Sequence, residues 1–143
     1  MVNPFDFIPQ ELLGKDGKIE LLYEAKENDI IAIYFSAHWC PPCRGFTPVL
    51  AEAYNEMKQN GKKIEIIFCS SDRDQNSFDE YFNTMPWIAI PFDSENKEIL
   101  KDAFEINGIP TLLVFNKEGN LITRNGRNDI MNKKAAAFDD WMS

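Results

Sequence analysis

The sequence is short of positive charge. Its 15 lysines and arginines face 23 aspartates and glutamates, for a net charge of −8. Phosphate backbones and anionic membrane surfaces are bound by basic faces, so neither nucleic acid nor membrane is an expected partner. Long apolar runs are lacking as well. The longest, Ile30 to Phe35, is the length of a strand and far below the roughly 20 residues that span a bilayer. The opening MVNPFDFIPQELLG carries Asp6 and Glu11 and has no basic start, unlike a secretory signal. The expected place of work is the cytoplasm, and the nucleus as well.

Histidine occurs once and cysteine three times. An odd cysteine count does not fit a secreted disulfide framework. A structural zinc site takes about four ligands. Beyond Cys40 and Cys43 only Cys69 and His38 remain, and His38 lies too close to Cys40 in sequence for a good chelate. No metal is expected. Repeats, low-complexity tracts and composition shifts are missing too. The 143 residues, 44% of them hydrophobic, therefore read as one domain, 1–143, able to bury a substantial core.

What the sequence does have is WCPPC, Trp39 to Cys43, at the point where one periodicity gives way to another. After Asp29, IIAIYFSA is a continuous apolar run, as expected of a strand covered on both faces. From Pro41 to about Asn60 the apolar residues Phe46, Val49, Leu50, Ala53, Tyr54 and Met57 recur at steps of three and four, and Gly61 closes the helix. IEIIFCS predicts a second buried strand, and DRDQNSFDEYFNTM a helix ending before Pro86. WIAIPF is a short apolar segment interrupted by Pro91, and SENKEILKDAFEI a helix started by Ser94. GIPTLLVF, the NKEGN turn and LITRNG form a hairpin, and MNKKAAAFDDW a last helix. Residues 1–14 read as an irregular lead-in. KDGK, Lys15 to Lys18, is a turn, either between two short strands or before a short helix over Ile19 to Glu27. Strands alternating with helices predict an α/β three-layer sandwich: a central mixed sheet flanked by helices, its first pair parallel through a right-handed crossover. Ligands of such sheets sit at the carboxyl ends of the parallel strands. WCPPC falls at one.

The thiolate is the reactive form of cysteine, and a helix N-terminus favours it. Cys40 precedes the helix, and neither Pro41 nor Pro42 has an N–H to offer. The Cys43 amide is thus the first donor able to reach the Cys40 sulfur. Cys40, at the outer edge, is expected to attack, and Cys43, one turn in, to resolve the mixed disulfide. A static crosslink over so short a loop would remove little chain entropy. The pair reads as a disulfide made and broken in thiol–disulfide exchange.

WCPPC at a strand-to-helix junction, with IPT far downstream, resembles the thioredoxin-fold oxidoreductases. FSAHWCPPCRGFTP, SSDRDQNSFDEYFNTMPWIAIPF, and GIPTLLVF followed by an EG turn and LITRNGR narrow the resemblance to the nucleoredoxin and tryparedoxin branch. The resemblance implies Cys40 as nucleophile, Cys43 as resolving thiol and Trp39 as an aromatic shield beside them. It implies that Pro110 is a cis-proline opposite the pair, leaving the Ile109 backbone to meet an incoming substrate strand. It also implies a protein-disulfide reductase with no cofactor beyond the Cys40–Cys43 disulfide, working as a monomer. Oxidised proteins such as peroxidases would be its targets, and thioredoxin reductase, glutathione or trypanothione its electron donor. A redox-sensitive binding module regulating a signalling partner is the alternative. Arg127 is suggested as a contact for a charged thiol substrate. Arg44 could steady the thiolate or grip a substrate carboxylate, and equally could be a solvated helix charge.

One departure stands out. Ordinary thioredoxins have a buried aspartate six residues before the first cysteine, and here Tyr34 holds that place. The proton acceptor for Cys43 is left open among Tyr34, a carboxylate from elsewhere, and water. Of the remaining residues, His38 is expected to be exposed, Cys69 a buried small hydrophobe and Trp87 a packing residue. The acidic excess is expected on solvated helix surfaces.

Overall fold

The run Ile30–Ser36 is the middle of the sheet. In the computed structural model, which describes residues 2–143, seven strands form one mixed sheet. In chain order they are β1 (Glu11–Gly14), β2 (Gly17–Glu20), β3 (Ile30–Ser36), β4 (Ile64–Ser70), β5 (Ile88–Ala89), β6 (Thr111–Asn116) and β7 (Leu121–Thr123). The α-helices are α1 (Leu21–Glu27), α2 (Pro41–Gln59), α3 (Gln75–Phe82), α4 (Asn96–Ala103), α5 (Gly126–Lys133) and α6 (Ala137–Met142). Side by side the strands run β2-β1-β5-β4-β3-β6-β7. β3 is parallel to β4, from Ile30 opposite Ile64 to Ser36 opposite Ser70, with α2 as the crossover; it is antiparallel to β6.

Side chains alternate along a strand. Ile30, Ala32 and Tyr34 therefore point to one face, where Phe46, Leu50, Ala53 and Met57 of α2 meet them. Ile31, Ile33 and Phe35 point to the other, against Leu21 of α1 and Leu100 of α4. Both faces are covered, which is why β3 shows no polar alternation. Trp87 is fully buried in the α2-side core, as expected, and stands nearly perpendicular to Tyr34 and Tyr54, at 5.8 and 5.6 Å between ring centres. In that arrangement an N–H or C–H edge meets a π face.

The long helix α2 carries the site at its first turn. Its far end is closed by Gly61 at φ +77°, where the Gly61 N–H donates to the Lys58 carbonyl (3.1 Å) and the Lys62 N–H to that of Met57 (2.9 Å). Glycine takes that backbone conformation without strain, and these two bonds use carbonyls the helix leaves unpaired.

Three expectations need correction. Residues 1–14 are not irregular throughout: Pro4–Asp6 form a turn of 3-10 helix, and Glu11–Gly14 is β1, paired with β2 across the KDGK turn and with β5 at Leu13–Ala89. KDGK joins two short strands, and the helix expected over Ile19 to Glu27 begins only at Leu21, because Ile19 and Glu20 belong to β2. The last helix is two. Lys134, at φ +53°, ends α5, and residues Lys134–Ala136 turn the chain so that Ala137, Phe138 and Trp141 of α6 bury themselves in the α2-side core. The Trp141 indole N–H donates to Asp129 of α5 at 2.9 Å and ties the two together. Finally, the acidic excess is not all solvated: Glu65 and Asp72 are buried.

Candidate active site

Cys40 is the last residue before α2, with an extended backbone (φ −95°, ψ 111°), so its side chain caps the helix. The Cys43 amide donates to Cys40 Sγ at 3.4 Å, the bond the two prolines leave available. The Cys40 thiol also points toward the Ile109 carbonyl oxygen, 3.9 Å away. Cys40 keeps 5% of its surface in contact with solvent and Cys43 none. Of two buried cysteines, Cys40 is the outer. Burial first, and then the hydrogen bond with Cys40, push the Cys43 thiol up to about 11, while the Ser36 hydroxyl and the Ala37 backbone pull the other way.

Beneath the pair lie hydroxyls. Thr47 Oγ1 donates to the Cys43 carbonyl at 2.9 Å, and it lies 2.7 Å from Tyr34 Oη and 2.6 Å from Tyr81 Oη. A threonine hydroxyl has one hydrogen to give, so both tyrosines must donate to it. Tyr81 Oη is also 2.6 Å from Ser36 Oγ, and with its own hydrogen committed it must accept from Ser36. When Cys43 ionises, the Ser36 hydrogen can turn from Tyr81 to the sulfur, which is how this hydroxyl pulls the thiol down. Burial raises the Tyr34 and Tyr81 phenols above their ordinary range, so both are neutral donors at working pH. Tyr81 reaches the surface through a cavity of about 240 Å³ that it lines with His38, Arg44, Thr47 and Thr84.

The Ile109–Pro110 peptide bond is cis, in agreement with the sequence-level expectation for Pro110. It borders an open groove of about 400 Å³ lined by Asn107, Ile109, Pro110, Thr111, Arg124 and Arg127. The Arg127 guanidinium also lies 6.0 Å from the Phe46 ring centre.

A family model described as thioredoxin-like matches residues 28–121. The chain belongs to the thioredoxin-like family. Within it the relatives are those of one branch of thiol–disulfide oxidoreductases. Nucleoredoxin of Danio rerio is 46% identical over 118 residues, taking in 82% of this chain and 28% of its own length. Tryparedoxin of Trypanosoma brucei brucei is 38% identical over 132 residues, 91% of this chain and 90% of that one. The solved tryparedoxin from Trypanosoma brucei has a TM-score of 0.86 at 35% identity, with 96% of each chain covered. A tryparedoxin II complexed with glutathionylspermidine has a TM-score of 0.82 at 31% identity, with 92% of each chain covered. Of the first nucleoredoxins matched, this chain spans only 22% to 32% of the length.

Trp39, Cys40, Cys43 and Arg44 lie at the start of α2 and Ile109, Pro110 and Arg127 along the groove, while Cys69 and Trp87 stay in the two cores. Trp39 is 46% exposed at the rim, its indole N–H donating to the Ser71 carbonyl at 2.9 Å. Arg44 lies on the outer face of α2 and donates to the His38 carbonyl at 2.7 Å, so it braces the loop before the cysteines. His38 is half-buried rather than exposed: it stacks on Tyr81 at 5.2 Å, and its backbone N–H donates to Asp72 Oδ1 at 2.7 Å. Cys69 is the buried hydrophobe expected of it, its thiol pushed up to about 12 by burial. Among the described residues no three or more His, Cys, Asp or Glu side chains gather as metal ligands would. Sequence reasoning missed Ser36, Thr47 and Tyr81. The signal for Thr47 was its place four residues after Cys43, on the same helix face. Nothing local marks Tyr81, which α3 delivers from far along the chain.

Proposed function

We propose that this chain reduces disulfides of oxidised proteins by thiol–disulfide exchange, with Cys40 as nucleophile and Cys43 as resolving thiol. The asymmetry of the two cysteines carries the reading: Cys40 keeps a sliver of exposed surface and Cys43 keeps none. The Cys40 thiolate attacks one target sulfur, a mixed disulfide forms, and the other target sulfur leaves as thiolate. Cys43 gives up its proton and attacks Cys40 Sγ, so the target leaves with both sulfurs reduced and the chain keeps the Cys40–Cys43 disulfide. Trp39, Ile109 and Pro110 present the contact edge, and Arg127 offers a positive charge beside it. A low-molecular-weight thiol such as glutathione or trypanothione, or a reductase, restores the dithiol, and peroxidases are among the expected targets. The tryparedoxin II complex with glutathionylspermidine supports a small-thiol donor. We place this work in the cytoplasm and nucleus, where an unpaired third cysteine is at home.

The proton of Cys43 has a route. Ser36 accepts it as its own hydrogen passes to Tyr81, and the Tyr81 hydrogen turns from Thr47 to water in the cavity beside His38, which carries the proton away. General base assistance of this kind contributes about 10²-fold or more, and water reaching the same sulfur by breathing motions sets a floor. Ser36→Ala and Tyr81→Phe are therefore expected to slow resolution by about tenfold while the first attack by Cys40 is little changed. Quenched-flow trapping of the mixed disulfide reads this directly; equal slowing of both steps would argue against the relay.

The function itself is tested with Cys43→Ser. Mixed disulfides should accumulate on Cys40 with reduced insulin turnover in parallel, and none should form in Cys40→Ser. Adducts on Cys69 instead, or a partner held without any covalent bond and released on oxidation, would replace the reductase reading with that of a binding module.

A further inference from the structure

The chain is strongly acidic, yet its active face is ringed by arginines. Arg73 follows β4, and its guanidinium lies 4.9 Å from the Trp39 ring centre, a cation–π contact that holds it beside the cysteines. β3, which leads to Trp39 and Cys40, lies between β4 on one side and β6 with β7 on the other. Arg73 thus flanks Cys40 on the β4 side, and Arg124 and Arg127 flank it across the groove at Pro110. Of these, Arg124 is tied to the Phe104 and Glu105 carbonyls, at 2.7 and 3.3 Å. The two acids beside Arg73 in sequence keep their charge but are turned to other donors. Asp72 accepts from the His38 N–H and the Ser70 hydroxyl, and Asp74 from the Ser77 N–H at the start of α3. Glu105 remains, and lies in the groove on the Pro110 side.

We propose that Arg73 is a specificity-determining residue: poised on Trp39, it receives a carboxylate flanking the target disulfide and selects acidic polypeptide segments over basic ones. The proposal rests on the reductase reading and names its substrate class. An extended segment lying along the Ile109 edge with its disulfide at Cys40 runs on past Trp39 toward Arg73. A carboxylate there meets an exposed cation whose place is fixed by the indole face, so its charge stands at one position rather than being spread over many rotamers. The rest of the molecule, at net charge −8, repels the same segment. Selection is therefore confined to this face. A disulfide carrying a cationic group on that flank meets like charge instead.

The test uses two disulfide-linked peptides identical but for glutamates or lysines flanking the cysteine. The intact chain is expected to reduce the acidic peptide about tenfold faster in kcat/KM at low salt, with the gap closing toward about 0.5 M salt. Arg73→Glu should erase or invert the preference, and Arg73→Lys should retain most of it. A preference unchanged in Arg73→Glu overturns the proposal, as does equal reduction of both peptides by the intact chain. Alkylation of Cys40 keeps this separate from the reductase reading. The ratio of the iodoacetate to the iodoacetamide rate constant should fall at least about threefold in Arg73→Glu, whether or not either peptide is reduced. An unaltered ratio overturns the electrostatic role even where turnover is intact. Inert peptides with a lowered ratio would retire the reductase reading and leave the anion selectivity of this face standing.

Discussion

Replacing Cys40 with serine is expected to abolish disulfide reduction, with turnover falling at least about 10³-fold, while the fold stays as stable or gains slightly. The two effects have opposite signs for reasons visible at one atom. As nucleophile, the residue at position 40 must form a bond to sulfur and later surrender it to Cys43, which a serine hydroxyl does not do. Cys43 does not substitute, because it has no exposed surface and its thiol is pushed up to about 11. As a helix cap, the same residue accepts the Cys43 N–H, and at 3.4 Å to sulfur that bond is long. Serine oxygen is a better acceptor and one of the preferred capping groups, worth up to about 1 kcal/mol more at such a site. Insulin reduction and urea unfolding on the same preparation separate the two. Retained turnover would mean that Cys43 is reachable and that the order of attack is wrong. A loss of stability of several kcal/mol would mean that the lost activity reports unfolding.

How far the sequence led depends on the range of the information. The strands of the middle of the sheet, the long helix and the dithiol are written in runs of neighbours: the unbroken apolar stretches of β3 and β4, the three-and-four spacing of α2, and WCPPC at their junction. Those were legible. β1 was legible only as one of two readings of KDGK, because a four-residue strand next to the sheet's edge owes its pairing to β2 and β5 rather than to its own pattern. The break at Lys134 was hidden for a similar reason. An alanine-rich run continues a helix by propensity, and only the burial of Phe138 and Trp141 makes it turn. The hydroxyl cluster shows the limit most clearly. Tyr34 and Thr47 could be placed near Cys43 by counting along a strand and a helix, but Tyr81 enters from α3. Its role exists only once β4 and the loop after it have set that helix in place.

Glu65→Gln is expected to stabilise the chain by about 3 kcal/mol more at pH 8 than at pH 4. Glu65 lies at the start of β4, where the expectation of solvated acids failed. Its Oε1 accepts from the Tyr54 hydroxyl and from the Ile66 N–H, both at 2.9 Å. Burial, opposed by these two bonds and reinforced by the charge of Glu24 on α1, pushes its carboxyl up to about 7; Lys58 of α2 offsets part of this. An unfolded glutamate titrates at about 4.3. Between roughly pH 4.3 and 7 the folded chain therefore holds a proton that the unfolded chain has released, and stability falls as pH rises through that window. Below it the carboxyl is neutral in both states, and above it ionised in both, so the contribution is flat on either side. Glutamine offers the same acceptor to Tyr54 and Ile66 and never ionises, so the loss does not occur in the variant. Other titrations are shared by both chains and cancel in the difference between them. Urea midpoints taken across the range should diverge through that window and then run parallel. A constant offset would mean that Glu65 ionises in the fold no less readily than in the open chain, through water or rearrangement that relieves its enclosure. A variant less stable at every pH would mean that the Tyr54 and Ile66 bonds depend on the carboxyl group itself.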